Sequence, residues 1–391
     1  MDDGSQLLTG PGAGPVLSAA VQHAGGELLS WKLEHVDANP SQSTTATYLA
    51  QVKWPYGERT ELLGVSARRG ELSDTDRGAA VWIYPADPDL PGLKRAAFPD
   101  QLAALVNDAG LIPQRITGDD LQLKIIGYRP RRRAVVRFTA CGKTFYIKAI
   151  RARLFEDVLS RHQLLAAARV PAPTVAYTTS DHLMILEELP GKPLARAIFD
   201  PGDPCSPEEL IAVLDAMPPS VSQLERRPPW SDAVEHYAHI VATALPEVRG
   251  DLRWATQQIR AGLAGLPPGN EPTHGDFHEG QVHVAHGRIS GILDIDTIGP
   301  GRRADDLACL IAHLSTIQRM NPEQEAKVRD VLARWVPVFD LRVDPVELRL
   351  RAAAVVISLA TGPYRGQEPM WQESTRQMVR AALALVRQVS S

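Results

Sequence analysis

The sequence predicts an α+β fold with a β-rich first half and a mainly helical second half. Short alternating apolar runs separated by turn residues recur up to about residue 190. From about Ala195 onward the apolar spacing is helical, apart from one short hairpin near residues 281–295. With 44% hydrophobic and 23% charged residues, the 391-residue chain has enough apolar mass for two or three cored segments. Strands followed by helices in separate blocks are typical of segregated α+β lobes.

The first predicted β block lies before about residue 86. Residues 45–54 and 59–67 form a hairpin around the turn at 55–58, and a third strand covers 79–85. We expect loose ends before about Pro15 and an amphipathic helix near Asp100–Asp108. This block predicts an N-terminal cap over residues 1–115.

The second β block begins near Leu121. Its elements are strands at 121–128, 134–138 and 144–150, a helix at about Leu154–Ala168, and strands within 170–179 and 182–189. The pattern predicts a smaller lobe over residues 116–192 and a helical lobe over residues 193–391.

Composition and charge exclude several classes of protein. The formal net charge of −4 argues against binding nucleic acid through bulk positive charge, and the apolar content argues against disorder. No apolar run approaches the roughly 20 residues of a membrane span, and the acidic N-terminus lacks the basic start of a secretory signal. The dispersed cysteines, Cys141, Cys205 and Cys309, suggest a reducing cytoplasm and no structural zinc. We therefore expect a cytoplasmic protein.

One segment, residues 273–296, carries the most specific chemistry. His274, Gly275 and Asp276 come first, Gln281 follows Asp276 by five positions, and Asp294 follows it by eighteen. Phosphoryl transfer needs a carboxylate to orient the acceptor hydroxyl, and amide or carboxylate oxygens to hold Mg²⁺. The kinase motif H-R-D-x-x-x-x-N followed by a metal-binding Asp has this spacing. Here Gly replaces Arg and Gln replaces Asn.

Phosphoryl transfer also needs a cation at the nucleotide phosphates. The candidate is Lys148, which has apolar neighbours on the third strand of the second block. No G-x-G-x-x-G loop precedes it, and the turn between the first two strands is instead the arginine turn, Arg129–Arg133. Arginines such as Arg133 bind phosphate in bidentate fashion, but a solvated basic turn explains the same residues.

These motifs resemble the aminoglycoside phosphotransferase family, which includes choline kinases, actinobacterial maltokinases and glucosamine kinases. The resemblance runs from about Leu121 to the C-terminus. It is strongest in HGDFHEGQ, ILDID and GRRADDLA, within residues 273–308. It implies a bilobal protein-kinase-like fold that uses ATP and Mg²⁺.

The resemblance also implies roles for individual residues. Asp276 would be the catalytic base, Gln281 and Asp294 the metal ligands, and Lys148 the contact to the nucleotide phosphates. His274 and Asp306 would support the catalytic loop. The backbone of the hinge would bind adenine, at Glu187, Glu188 and Leu189.

Two departures from the family pattern matter. Gln281 stands where Asn is more common. The helix glutamate that pairs with the lysine is not evident: Glu156 is the first candidate and Asp157 the second, and a partner other than these two is an equally open alternative. The Gln form and the extra N-terminal segment are more similar to the sugar and amino-sugar kinases of the family than to its resistance enzymes.

For other histidines and carboxylates near the motif, a structural or surface position is an alternative to a metal site. HGDFH could form a zinc cluster, but zinc needs a further matched ligand set. His278 is expected in a loop near the acceptor, and His283 and His286 on the hairpin surface. Asp296 is either a second metal contact or a hairpin-end carboxylate.

A C-terminal stretch, residues 361–372, bunches aromatic and polar groups. Arg365, Glu368 and Trp371 are the types that bind sugars, because an aromatic face covers the ring and planar polar groups bind hydroxyls. A helix–helix connection with a packing tryptophan is the alternative.

The sequence therefore predicts an ATP- and Mg²⁺-dependent small-molecule kinase, a monomer or homodimer that binds neither nucleic acid nor membrane. The favoured acceptor is a sugar or amino sugar, with glucosamine first. The alternatives are an aminoglycoside resistance phosphotransferase, a maltokinase-like enzyme and, from another class, a non-catalytic nucleotide-binding module. A protein kinase fits least, because no APE-type segment follows ILDID.

Overall fold

The computed structural model describes residues 5–39, 43–72, 77–317, 320–366 and 368–389. The strands are β1 Glu27–Asn39, β2 Ser43–Trp54, β3 Gly57–Leu72, β4 Arg77–Ile83, β5 Gln122–Arg129, β6 Arg133–Ala140, β7 Lys143–Ile150, β8 Val175–Thr178, β9 Leu183–Glu187, β10 Lys192–Pro193, β11 Glu271–Thr273, β12 Val282–Ala285, β13 Arg288–Ile292 and β14 Gly299–Gly301. The helices are α1 Ser5–Thr9, α2 Ala13–His23, α3 Leu93–Ala97, α4 Pro99–Asp108, α5 Ala152–Ala167, α6 Leu194–Ala197, α7 Pro207–Asp215, α8 Val234–Ala244, α9 Arg249–Leu263, α10 Arg303–Ser315, α11 Pro322–Arg342, α12 Pro345–Leu359, α13 Gly362–Arg365 and α14 Trp371–Arg387.

The contacts divide the chain into two compact units. The first consists of Met1–Glu156, Val175–Glu188 and a short stretch that begins at Arg365. The second consists of Asp157–Thr174, Leu189–Tyr364 and Glu368–Ser391. The first unit contains both larger sheets, and most of the helices belong to the second.

The N-terminal sheet is an antiparallel meander in the order β1-β2-β3-β4. Alternate residues of β2 are buried on one face, which packs against α1 and α2. The expectation of loose ends before about Pro15 is wrong from residue 5 onward, because Leu8 is buried in α1 and Ala13, Leu17 and Val21 recur every four residues on the buried face of α2. Glycines around this run obscured its periodicity, and Pro15 lies in the first turn of α2, where proline is tolerated.

The second sheet has the order β5-β6-β7-β9-β8, and its neighbouring strands are antiparallel. Its core also contains apolar side chains from residues 90–116, including those of the predicted helix, α4. Trp82 Nε1 donates to the Tyr128 hydroxyl (2.6 Å), which in turn donates to Asp87 (2.8 Å). The chain before residue 115 is thus bonded to the second sheet, and the three-part division of the chain stays a prediction.

The second unit is mainly helical. The predicted hairpin is present as β12 and β13, and β10 pairs with β12. A second pair, β11 with β14, brackets the catalytic motif but consists of strands of three residues each, too short to leave a sequence signal. Among the helices of the described residues, none is long and apolar enough to cross a membrane. The predicted fold class, α+β with a β-rich N-terminal part and a helical C-terminal part, is confirmed.

Candidate active site

The loop that carries Asp276 is held by a buried carboxylate. Asp306, near the start of α10, is 0% exposed and accepts the backbone N–H groups of His274 and Gly275, each at 2.9 Å. Gly275 has φ +81°, and a Cβ there would lie 2.7 Å from the carbonyl oxygen of Thr297. The loop therefore requires glycine at this position, and its backbone is fixed immediately before Asp276.

The imidazole of His274 joins the catalytic loop to the following hairpin. Its Nε2 lies 2.8 Å from the Leu293 carbonyl oxygen, and its Nδ1 accepts the backbone N–H of Asp276 (3.3 Å). Both ring nitrogens are thus bonded to backbone, which leaves His274 without a free lone pair for zinc. The HGDFH cluster is not assembled as a zinc site around this residue.

Arg303 neutralises the buried carboxylate. Its side chain is 2% exposed and donates to Asp306 (2.9 Å), Asp215 (3.1 Å) and the Leu214 carbonyl oxygen (3.1 Å). Burial raises the pKa of Asp306, whereas the charge of Arg303 and the two loop N–H groups lower it. An ionised Asp306 is what the hydrogen bonds require, since a carboxylate accepts all three donors.

The two predicted metal ligands are joined through the backbone of the hairpin. The Leu293 N–H donates to the Gln281 carbonyl oxygen (2.7 Å), and Gln281 N–H donates to the His278 carbonyl oxygen (2.9 Å). Asp294 follows directly in the left-handed region, at φ 52°. This conformation, which few non-glycine residues adopt, turns the chain at the end of β13. The fold therefore brings the segments of Gln281 and Asp294 together, next to the loop of Asp276.

The predicted nucleotide contacts belong mostly to the first unit. Lys148 lies on β7 between Val135 of β6 and Met184 of β9, with only 9% of its surface exposed. Arg133 begins β6, half-buried. These positions put a largely buried lysine and a half-buried arginine on neighbouring strands of one sheet.

The predicted hinge residues follow the fourth strand of that sheet. Glu187 ends β9 and is exposed, and Glu188 accepts the Tyr146 hydroxyl (3.2 Å). Leu189 begins the next stretch of the second unit, where it lies against Gly291. One carboxylate is thus exposed and the other is bonded to the neighbouring strand, and the adenine contact by this backbone stays a prediction.

The helix carboxylates proposed to pair with Lys148 lie on α5. Glu156 is exposed, and Asp157 forms an ion pair with Arg161 one turn later. The partner of Lys148 stays a prediction.

The arginine turn is held by acidic residues of the N-terminal part. Arg131 donates from its backbone N–H to Asp87 (2.7 Å) and from its guanidinium to Asp89 (3.0 Å). Arg132 pairs with Asp37 at 2.7 Å. These two arginines are therefore paired within the protein, whereas the sequence predicted either phosphate binding or a solvated basic turn.

The predicted acceptor residues near the C-terminus divide between two environments. Arg365 donates to Asp37 (3.2 Å) in the first unit. In the second unit, Trp371 packs edge-on against Tyr364 with ring centroids 5.0 Å apart, and the backbone N–H of Trp371 donates to the backbone carbonyl oxygen of Glu368 (3.2 Å). The aromatic pair is thus assembled and Glu368 lies in the turn beside it, whereas Arg365 is bonded to another partner.

A cluster of histidine, cysteine and carboxylate side chains lies beside Asp276 and was not predicted from the sequence. His278 stacks on His313 of α10 with ring centroids 4.2 Å apart, and the Cys309 thiol lies 3.9 Å from Asp276 Oδ1. Burial raises the pKa of Glu279 to about 7 and lowers the pKa of His313 to about 3. The available signal was the four-residue spacing of Cys309 and His313, which places both on one face of a helix.

The hairpin histidines and the third carboxylate occupy ordinary positions. His286 is exposed in the β12–β13 turn, and His283 is half-buried on β12. Asp296 lies in a single helical turn just after Asp294 and is also half-buried.

A buried carboxylate that holds the loop of Asp276, beside a hairpin that ends at Asp294, is an arrangement suited to phosphoryl transfer. The chain belongs to the phosphotransferase enzyme family, whose model matches residues 125–338, more than half of its 391 residues. A curated relative, an uncharacterized protein of Deinococcus radiodurans, is 37% identical over 68 residues, or 17% of this chain. The chain spans about a fifth of the length of that relative, 20%.

The chain is also similar to solved structures at low identity. A choline kinase from Cryptosporidium parvum is 11% identical with a TM-score of 0.48, over 74% of this chain and 95% of that one. A thermostable mutant of an aminoglycoside phosphotransferase, in a ternary complex with ADP and hygromycin B, is 15% identical with a TM-score of 0.47, over 74% and 98%. A macrolide 2′-phosphotransferase from Brachybacterium faecium is 17% identical with a TM-score of 0.43, over 72% and 98%.

Proposed function

We propose that this chain transfers the γ-phosphate of ATP to a hydroxyl group of a small molecule, and that a sugar or amino sugar is the favoured acceptor. The observation that carries the proposal is the fixed catalytic loop. Asp276 follows two residues whose N–H groups are both held by Asp306, and His274 bonds that loop to the hairpin that ends at Asp294. Positioning of this kind is the main source of rate in phosphoryl transfer.

In this proposal Asp276 orients the acceptor hydroxyl. Its carboxylate accepts a hydrogen bond from the hydroxyl and takes the proton as the oxygen attacks the γ-phosphorus in line. The Cys309 thiol beside it is fully buried, and burial raises its pKa, so it stays protonated and neutral. Asp276 is therefore the nucleophile-orienting group of this loop.

The donor set at the hairpin fits Mg²⁺. Gln281 offers an amide oxygen and Asp294 a carboxylate, and hard divalent cations prefer oxygen ligands. The Leu293 N–H bond to the Gln281 carbonyl keeps the two ligand-bearing segments adjacent. When bound, Mg²⁺ supplies neutralising charge to the phosphate oxygens. Gln281 and Asp294 hold that charge at the catalytic loop.

The nucleotide is assigned to residues of the second sheet and the segment after it. Lys148 would bind phosphate oxygens, since it is carried on an ordered strand and the residue is only 9% exposed. Arg133, on the adjacent strand, would add a second cation. The backbone of Glu187, Glu188 and Leu189 would bond the adenine, because extended backbone offers N–H and C=O groups in line.

The acceptor is assigned to the catalytic loop and the C-terminal stretch. His278 would contact the acceptor next to Asp276. The Tyr364–Trp371 pair offers an aromatic surface for a sugar ring, and Glu368 would pair with an amine. These groups support an amino sugar, and glucosamine is the compound to test first. Arg365 would join them only by leaving Asp37.

A coupled ADP-release assay tests the reaction. Purified protein with Mg²⁺ and ATP is screened against monosaccharides, amino sugars, maltose, choline and aminoglycosides. We expect turnover with at least one acceptor, and Asp276→Asn should lower it by about 10²–10⁴-fold while nucleotide binding persists. The control is Asp251→Asn, an exposed carboxylate on α9, which should stay close to the parent. Turnover of Asp276→Asn within threefold of the parent would remove the base assignment.

The amino-sugar reading has its own test. A pocket that neutralises an amine should reject the hydroxyl analogue, because its carboxylate would be left unpaired. We expect a higher kcat/KM for glucosamine than for glucose, and Glu368→Gln should shrink that ratio more than it lowers activity on glucose. Equal kcat/KM values, or an unchanged ratio in Glu368→Gln, would leave the kinase proposal standing without the amino sugar.

A further inference from the structure

Five side chains of metal-binding type surround one end of α10. Glu279 Oε2 lies 3.7 Å from Nδ1 of His278 and 3.7 Å from Nδ1 of His313. The ligand atoms of these three residues lie within 4.8 Å of one another, as do those of Asp276, Cys309 and His313. The two triads share His313, so one imidazole faces both groups.

The centre of the cluster is a carboxylate oxygen without a hydrogen bond. Glu279 Oε2 is inaccessible to water and has no hydrogen-bond partner within the described part of the chain, although the side chain as a whole is 14% exposed. A buried polar atom left unpaired costs free energy comparable to a lost hydrogen bond. Nδ1 of His313 lies 3.7 Å from this oxygen, and a neutral imidazole has a nitrogen lone pair to donate. A cation that binds both a carboxylate oxygen and an imidazole nitrogen would give the unpaired oxygen of Glu279 a partner.

We propose that His278, Glu279 and His313 bind one transition-metal ion of the Zn²⁺ class, at a site distinct from the Mg²⁺ ligands Gln281 and Asp294. Two imidazoles and one carboxylate form a common zinc set that leaves one coordination position open. Imidazole ligands select zinc-like ions over Mg²⁺, which prefers oxygen and octahedral geometry.

The observed distances are close to those of a bound ion. Zinc-to-ligand distances of about 2.0–2.1 Å place tetrahedral ligand atoms about 3.3 Å apart. The 3.7 Å separations in this cluster therefore require a small contraction. The two rings are stacked with an interplanar angle of 7°, so their lone pairs lie in nearly parallel planes and the rings must tilt before both can reach one ion. Rotation about the soft terminal torsion of each histidine does this, at the loss of the hydrogen bond from Gly280 N–H to His278 Nδ1 (3.1 Å).

The site has a consequence for the proposed reaction. A dication held at His313 would lie next to the Cys309–Asp276 contact and would move His278 from its position near the acceptor. Bound zinc should therefore inhibit phosphoryl transfer, and this second part rests on the proposed function. Zinc binding itself does not depend on any activity of the protein.

Isothermal titration of the full chain with ZnCl₂, in excess Mg²⁺, tests the site. We expect one equivalent to bind, and Glu279→Gln, which keeps the shape of the side chain, should weaken the affinity at least tenfold. His313→Ala should do the same, and its thermal unfolding shows whether it is folded. The control is His239→Ala, an exposed histidine on α8, which should bind as the parent does. Equal affinity in the parent, Glu279→Gln and His313→Ala, or no binding by the parent, would overturn the proposal.

Cobalt supplies a spectroscopic readout. Co²⁺ absorbs visible light much more strongly in a four-coordinate site than in water, so the parent should develop these bands and Glu279→Gln should lose them. Chelator-reversible loss of turnover, at zinc concentrations that match the titration, tests the inhibitory part. Zinc binding without inhibition would remove only that part, and absence of visible cobalt bands in the parent would contradict the coordination.

Discussion

Replacing the buried carboxylate Asp306 should both destabilise the second unit and misplace the catalytic loop. In Asp306→Asn the amide keeps one acceptor oxygen but turns an NH₂ group toward a loop N–H, and the charge that neutralises Arg303 is lost. The parent carboxylate makes three hydrogen bonds of 2.9 Å, to His274, Gly275 and Arg303. The perturbation thus removes a buried ion pair and one loop contact in a single step.

The magnitude follows from burial. Removing one partner of a buried pair costs about 3–5 kcal/mol, because the remaining charge is uncompensated. Arg303 keeps Asp215, whose side chain is 39% exposed, and the Leu214 carbonyl oxygen, so we expect the lower end, about 3 kcal/mol. A shift of the loop by about 1 Å should also lower turnover about 10²-fold.

Urea unfolding followed by tryptophan fluorescence measures the first effect, since Trp335 is buried in the same unit. Asp215→Asn is the matched control: it removes the exposed partner of the same arginine and should cost about 1 kcal/mol or less. Equal losses in Asp306→Asn and Asp215→Asn would refute the reasoning, since the argument depends on the difference in burial.

Three further predictions concern the same unit or its controls. Because the folded pKa of His313 is lowered to about 3, its unfolded form binds the proton first, and stability is lost as pH falls from about 6.5 toward 3. The parent should lose about 2 kcal/mol of unfolding free energy by pH 5 for this reason. His313→Asn lacks the group, so in urea titrations with a chelator its stability relative to the parent should rise by that amount between pH 7 and pH 5. A difference in stability that does not change with pH would contradict this. Gly275→Ala should lower the free energy of unfolding more than Gly142→Ala does. Both positions have positive φ, which costs about 1–2 kcal/mol for alanine, but only at residue 275 would the new Cβ meet a backbone oxygen, at 2.7 Å. Equal melting temperatures of the two variants would disprove this. Gln281→Asn should raise the Mg²⁺ concentration for half-maximal turnover several-fold, whereas Asp294→Ala should abolish Mg²⁺-dependent ATP binding; normal Mg²⁺ dependence in both would place the metal elsewhere.

The β-rich first half and helical second half could be predicted because local patterns carry them. The hairpin around residues 55–58, helix α4 and the sheet strands all have period-2 or period-3.6 apolar spacing. Helices α1 and α2 were not predicted, because the glycines between residues 10 and 14 obscured the helical spacing of Ala13, Leu17 and Val21. Strand β1, which begins at Glu27, was also missed, because no clear alternation marks it.

The candidate catalytic motif could be proposed from sequence alone, because the spacing of Asp276, Gln281 and Asp294 lies within one continuous segment. The hydrogen bonds that hold this segment in place come from residues distant in sequence. The Asp306 carboxylate reaches back about thirty residues to His274 and Gly275, and no local pattern encodes such a contact.

The tertiary structure also decided which charged residues are free. Arg131 and Arg132 looked like phosphate ligands or solvated charges, yet Asp87, Asp89 and Asp37, about 40 or more residues earlier, pair with them. Periodicity reports which face of an element is buried. It does not report which distant element covers that face.

The cluster beside Asp276 shows the same division. Glu279 and His278 are adjacent in the motif, and Cys309 and His313 are one helical turn apart, so each pair is legible in the sequence. Only the packing of α10 beside the catalytic loop brings the two pairs together, with Glu279 3.7 Å from His313. Chemistry that lies within one segment is read from spacing, whereas chemistry shared between segments depends on how buried surfaces pack.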